Sequence, residues 1–145
     1  MDALRNAPWI LLAVGSAFFA ALTAIFAKIG VAGVNSNLAT AIRTAVILLL
    51  AWGIVFATGQ YKELGTISQK TWIFLVLSAF ATGASWLLYF AALQQGPASV
   101  VSSIDKTSIA IVLVLAALFL GEPFTWKTAL GGAMVVGGAL LVAWK

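Results

Sequence analysis

The chain has 145 residues, of which 63% are hydrophobic and only 8% are charged, whereas a soluble domain carries roughly 25% charged residues. It contains no Cys and no His, which excludes disulfides and thiolate nucleophiles and removes the commonest metal ligand and general base. The formal net charge is +4, but the basic residues are scattered singly, so we expect no nucleic-acid partner, no metal, no cofactor and no enzymatic activity.

Five apolar runs follow one another, each about 20 residues long and therefore able to cross a bilayer as an α-helix. The predicted helices cover approximately residues 8–30, 37–58, 71–93, 98–120 and 126–144. The first run is too long for the core of a cleaved signal peptide, so we expect it to be retained. The runs lack the ten-residue alternation of barrel strands. The sequence thus predicts an all-α, multi-pass integral membrane protein of the cell membrane, of bacterial inner-membrane type, with residues 1–145 as one domain.

The distribution of basic residues leaves the orientation of the chain open. Five spans place the two termini on opposite faces of the membrane. The face on the N-terminal side holds four basic residues, namely Arg5, Lys62, Lys70 and Lys127. The other face holds Lys28 and Lys145, and its count rises to four when Arg43 and Lys106, which are embedded in their helices, are included. The positive-inside rule therefore gives only a weak preference for a cytoplasmic N-terminus. Insertion both ways, which would give an antiparallel pair, and a single orientation are both open.

A few charged residues lie inside the predicted spans. Arg43 lies six residues past Asn37, about 9 Å into its helix, and Asp105 lies about 12 Å into the fourth helix. Charges at such depths are costly when they face lipid, so we expect Lys28, Arg43, Asp105 and Lys106 to face a cavity or one another. Snorkelling to the interface is the alternative for Lys28 and Arg43. Asp105 is the only carboxylate within a span and is the candidate for proton coupling.

The third helix carries a polar stripe. Ser78, Thr82, Ser85 and Tyr89 are spaced by four, three and four residues, which places them on one helix face, with Trp86 beside them. Hydroxyl groups and an aromatic ring in this arrangement can form the wall of a solute pathway. Hydrogen bonding between helices is the alternative interpretation of the same pattern.

Small residues recur every four positions on the fifth helix, at Ala129, Ala133 and Gly137. Such a pattern favours close helix approach. It predicts either a dimer contact or packing within the chain.

Four motifs taken together resemble the half-length, five-helix form of the EamA-type domain of the drug/metabolite transporter superfamily. They are Ala27–Gly30, the run Ser36–Thr44, Asp105–Ser108, and the Gly121-Glu122-Pro123 ending before a glycine-rich last helix. The resemblance implies a drug/metabolite-transporter-like bundle and an exporter of metabolites, amino acids or drugs. Because longer relatives carry two inverted halves, it also implies an antiparallel homodimer.

The resulting functional hypothesis is alternating access between two inverted copies around a central cavity. Lys28, Arg43, Asp105 and Lys106 would line or gate that cavity, and Ser85, Trp86 and Tyr89 would form its wall. Three positive charges against one negative charge favour an anionic or zwitterionic solute. The alternatives are a non-transporting assembly protein, half of a heterodimeric transporter, and a lipid translocase.

Overall fold

A computed structural model describes residues 8–144, and within this range it contains helices and no strands. The elements are α1 Trp9–Gly30, α2 Ser36–Ala57, a short 3-10 helix Gln60–Thr66, α3 Gln69–Gln95, α4 Ala98–Asp105, α5 Ser108–Leu115 and α6 Trp126–Ala143. A π-helical turn, Ala116–Leu120, extends α5, so that Ala98–Leu120 forms one apolar segment of 23 residues. The prediction of five segments long and apolar enough to span a membrane is confirmed. Arg5 and Lys145 lie outside the described residues.

The helix ends are fixed by local interactions. The side-chain oxygen of Asn35 caps α2 by accepting a hydrogen bond from the backbone N–H of Asn37 at 2.9 Å. Thr125 and Thr128 form a reciprocal capping box at the start of α6. Gly121 ends the fourth segment with φ 68°, a left-handed conformation that glycine adopts without strain.

The apolar side chains point mostly outward. In each of the five segments, no more than 11% of the apolar stretch is buried within the chain. Large residues such as Leu49 and Phe119 are more than two-thirds exposed. Soluble proteins rarely expose so much apolar surface to water, whereas the hydrocarbon core of a bilayer would cover it.

The chain divides into two compact units. The first contains residues 8–29 and 95–144 of the described range, and here α4 and α5 pack against α6. Gly132 of α6 is buried, and a Cβ atom at this position would lie 2.8 Å from Cδ1 of Leu113. The ammonium of Lys28 donates to the carbonyl oxygen of Gly96 at 2.9 Å and so ties the end of α1 to the turn before α4.

The second unit comprises residues 30–94, with α2, the 3-10 helix and most of α3. The amide of Gln94 donates to the carbonyl oxygens of Val31 and Val34, which secures the turn before α2 to the end of α3. At the other end of α2, the rings of Trp52 and Phe56 lie 5.5 Å apart.

The fourth segment is interrupted near its middle, between α4 and α5. The backbone N–H of Thr107 donates to the carbonyl of Ile104, three residues back. In the same way, the backbone N–H of Ile109 donates to the carbonyl of Lys106. These shorter bonds form a tight 3-10 turn at residues 104–109. The hydroxyl of Thr107 also donates to the Ile104 carbonyl at 2.7 Å. The hydropathy pattern did not predict this interruption because the mean hydropathy of Ala98–Leu120 as a whole remains that of a membrane span.

Candidate functional site

A groove lies between α2 and α3 in the unit formed by residues 30–94. Its volume is about 790 Å³, large enough for a small organic molecule. We call it the α2–α3 groove. No ionisable side chain is among its lining residues, most of which are apolar. The polar and aromatic members of the lining are Asn37, Thr40, Thr44, Ser78, Thr82 and Trp86.

The threonine hydroxyls of the groove already donate their hydrogen atoms to the backbone. Thr40 donates to the carbonyl of Ser36, Thr44 to that of Thr40, and Thr82 to that of Ser78, at 2.8–2.9 Å. Such bonds to the carbonyl four residues back are common for threonine in helices. The oxygen atoms therefore offer only acceptor sites to a solute in this groove.

Arg43 lies beside the groove, against aromatic rings. Its guanidinium carbon is 4.4 Å from the centre of the Trp86 ring and 5.5 Å from that of Phe90. Glu63 is the only acidic residue of this unit, and it lies beyond the opposite end of α2. Arg43 is half-buried, so its charge is stabilised within the unit by the faces of the rings.

The predicted polar stripe of α3 lies across the edge of the groove. Ser78, Thr82 and Trp86 line the groove, but Ser85 and Tyr89 do not. Ser85 is exposed, and the half-buried Tyr89 ring packs 6.4 Å from that of Phe90. The groove is centred on the row through Leu75, Ala79 and Trp86, which lies next to the stripe on the helix surface.

A second cavity lies between α1 and α4 in the unit formed by residues 8–29 and 95–144. Its volume is about 350 Å³. We call it the α1–α4 pocket. α1 supplies small and apolar groups, whereas α4 supplies three hydroxyls and an ammonium; the lining is Ala21, Ala24 and Ile25 with Ala98, Ser99, Ser102, Ser103 and Lys106.

Asp105 and Lys106 form an ion pair with a distance of 3.3 Å between carboxylate oxygen and ammonium nitrogen. Their side chains are 37% and 60% exposed, respectively. The pairing of these two residues was one of the arrangements that the sequence predicted for Asp105. Lys28, in the same unit, bonds instead to the carbonyl of Gly96.

The small residues of α6 lie on two different faces. Gly132 and Ala139 are buried against the rest of the chain. Ala133 and Gly137 are exposed, and Ala129 is half-buried. Ala133 and Gly137, two of the three residues predicted for close helix approach, therefore present an outward surface.

The serines of the α1–α4 pocket were not selected from the sequence. Ser99, Ser102, Ser103 and Lys106 have the spacing i, i+3, i+4 and i+7, which defines one helix face and could have identified them.

Five apolar helices of membrane-spanning length, with a groove in one unit and a pocket in the other, define a multi-pass helical membrane protein. The family comparison specifies the class further. The chain belongs to the EamA-like transporter family, which matches residues 7–144. This membership identifies a membrane transporter and points away from catalysis.

Three relatives show the similarity in detail, and two of them are named as transporters. An uncharacterized transporter from the cobO 3′ region of a Sinorhizobium species is 53% identical over 135 residues, which are 93% of this chain and 96% of the relative. An uncharacterized protein of Methanocaldococcus jannaschii is 30% identical over 84 residues, covering 58% of this chain and 61% of that protein. The uncharacterized transporter YvbV of Bacillus subtilis is 29% identical over 138 residues, which are 94% of this chain but 45% of YvbV. No solved structure matches the chain.

Proposed function

We propose that this protein exports a small organic solute across the cell membrane by alternating access, as an antiparallel homodimer. The observation that carries the proposal is the match to YvbV, in which almost this whole chain corresponds to less than half of a transporter. Transporters of this general kind place their substrate site at the interface of two inverted halves. Two copies of this chain would supply both halves, with residues 1–145 acting as one domain in each.

The charge distribution is compatible with inversion. The basic residues are nearly balanced between the two predicted faces, so the first loops do not impose one orientation strongly. A chain that inserts both ways produces the two inverted copies from one gene product.

The solute site in this proposal contains the residues selected from the sequence. Arg43 and Trp86 border the α2–α3 groove, with Ser85 and Tyr89 at its edge. In the other unit, Lys28, Asp105 and Lys106 supply the charges that line or gate the pathway, and Asp105 carries the coupling proton. The surplus of positive charge among these groups favours an anionic or zwitterionic metabolite, amino acid or drug.

The dimer contact is assigned to α6. Its outward face carries Ala133 and Gly137, with Ala129 at the border. Small side chains allow two helix backbones to approach closely, and in lipid this packing drives association.

The experiment that tests the proposal measures orientation and transport with the same protein. The native chain has no Cys, so one Cys can be placed at either terminus and labelled in intact cells with a membrane-impermeant thiol reagent. We expect about half of the chains to label at each terminus. Purified protein reconstituted alone in liposomes should then move a solute from a panel of amino acids and organic acids.

The possible failures have different meanings. Labelling at one terminus only would exclude the antiparallel homodimer and favour a heterodimer with an inverted partner. Dual labelling without any transport would contradict the solute-transport part of the proposal, and lipid-probe flipping in the same liposomes would then support a lipid translocase.

A further inference from the structure

The α1–α4 pocket and the α2–α3 groove differ in how their hydroxyl groups are hydrogen-bonded. In the groove, the hydrogen atoms of the three threonine hydroxyls are used by backbone carbonyls. In the pocket, Ser99, Ser102 and Ser103 form no side-chain hydrogen bond within residues 8–144. The pocket therefore offers three unused hydroxyl hydrogen atoms beside an ammonium, whereas the three threonine hydroxyls of the groove offer only acceptor sites.

We propose that the α1–α4 pocket is a carboxylate-binding site, in which the hydroxyls of Ser99, Ser102 and Ser103 and the ammonium of Lys106 donate hydrogen bonds to the two carboxylate oxygens. This proposal rests on the proposed transport function. It adds that the transported solute carries a carboxylate group.

The first argument is the number and sign of the polar groups. No carboxylate lines the pocket, and α1 contributes only Ala21, Ala24 and Ile25 from the opposite side. A ligand group that accepts several hydrogen bonds and carries negative charge satisfies three hydroxyls and an ammonium at once. A cationic ligand would have no ionic partner in this lining.

The second argument concerns Lys106. Asp105 accepts one hydrogen bond from the ammonium at 3.3 Å, which leaves two of its three N–H donors for a ligand. The side chain of Lys106 is 60% exposed, so it remains accessible while it is paired.

The third argument is size. A volume of about 350 Å³ lies near the lower end of the range for ligand sites and suits a short carboxylate or the head of a longer one. A single lysine charge matches a carboxylate monoanion better than a phosphate dianion, which would leave one negative charge uncompensated in this lining. The carboxylate can belong to a water-soluble acid or to a fatty acid from the bilayer.

Thiol protection tests the proposal on the full-length protein. A Cys replacing Ala21 lies in the pocket wall and leaves the four donors intact, and a Cys replacing Ala41 in the α2–α3 groove is the matched control. The rate of maleimide labelling is measured in detergent with butyrate, with its neutral isostere butanamide, and with oleate. We expect butyrate to slow labelling at Ala21→Cys but not at Ala41→Cys, and butanamide to have no effect at either position.

Serine variants then assign the donors. Ser102→Ala and Ser103→Ala, each combined with Ala21→Cys, should raise the butyrate concentration for half-protection at least about tenfold, and Lys106→Gln should raise it further. Ser108→Ala lies outside the pocket lining and should leave that concentration unchanged. Each variant is also made with Ala41→Cys, because an unchanged labelling rate there shows that the fold is retained.

The outcomes separate this proposal from the proposed function. Protection by oleate alone supports the carboxylate site and assigns it to lipid, whereas protection by both acids assigns it to the carboxylate group in general. The carboxylate proposal would be overturned if butyrate and butanamide slowed labelling equally. It would also be overturned if the serine variants needed the same butyrate concentration for half-protection as the parent protein. If liposomes transport another solute while no carboxylate protects, only this proposal fails; if butyrate protects and nothing is transported, only the proposed function fails.

Discussion

The guanidinium carbon of Arg43 lies 4.4 Å from the centre of the Trp86 ring. The residue begins the third turn of α2, inside an apolar segment where an unpaired charge is costly. The negative face of an indole attracts a cation without placing a second charge in the membrane. Since Trp86 also lines the α2–α3 groove, this contact connects the charge to the wall of a solute-sized cavity.

The first prediction concerns this contact. Trp86→Ala should lower the free energy of unfolding in detergent by about 1–2 kcal/mol, because Arg43 loses the cation–π contact and the groove loses its largest ring. Trp86→Phe should recover part of the loss. A double-mutant cycle with Arg43→Ala should give a coupling energy of about 0.5–2 kcal/mol.

Trp72→Ala is the control for the loss of an indole ring. Trp72 lies near the start of α3, 46% exposed, and does not line the groove. Additive effects of Arg43→Ala and Trp86→Ala would show that the observed proximity carries no energy.

The fold was largely predictable because its determinants are local. Apolar length defined the five segments, and Gly121 and Pro123 marked the end of the fourth through their backbone preferences. The relation of Arg43 to Trp86 was not predictable, because it depends on the rotation of α2 relative to α3. Hydropathy defines the ends of a helix in a membrane but constrains its rotation weakly, since nearly all of its faces are apolar.

The same limitation explains the mixed outcome at the candidate site. The serine face of α4 was not predicted, because a hydroxyl on a membrane helix does not by itself show whether it faces a cavity or a neighbouring helix. On α3, periodicity correctly placed Ser78 and Thr82 on one face, but it could not show that the groove is centred on the neighbouring row.

A second prediction concerns Lys28. Lys28→Met removes the hydrogen bond to the Gly96 carbonyl, and we expect a loss of about 1–2 kcal/mol in the free energy of unfolding because the bond is charge-assisted and partly buried. Lys28→Arg should restore most of this loss. Thermal unfolding in detergent provides the measurement, with the exposed Lys62→Met as control. A Lys28→Met protein with native stability but no transport would instead assign this residue to the solute.

The third prediction separates the two faces of α6. Gly132→Leu should destabilise the protomer by about 1–3 kcal/mol, because its side chain must displace the Cδ1 methyl of Leu113 in the contact between α5 and α6. A Cβ atom at Gly137 has no neighbouring atom of the chain within 4 Å. Gly137→Leu should therefore leave the free energy of protomer unfolding almost unchanged. If α6 is the dimer contact, Gly137→Leu should reduce the dimer fraction measured by cross-linking or single-molecule photobleaching in liposomes. A native dimer fraction in Gly137→Leu would move the contact to another surface.

The last prediction concerns Asp105, the acidic residue of the fourth segment. Its ion pair with Lys106 is partly exposed, and such pairs contribute about 0–1 kcal/mol to stability, so Asp105→Asn should fold almost normally. Its effect should instead appear in coupling: solute exchange between liposome compartments at equal pH should persist, whereas accumulation driven by a pH gradient should be lost. Glu122→Gln, two residues beyond the end of this segment, is the control and should keep both activities. Because an amide carries no titratable proton, gradient-driven accumulation in Asp105→Asn would show that this carboxylate does not carry the coupling proton.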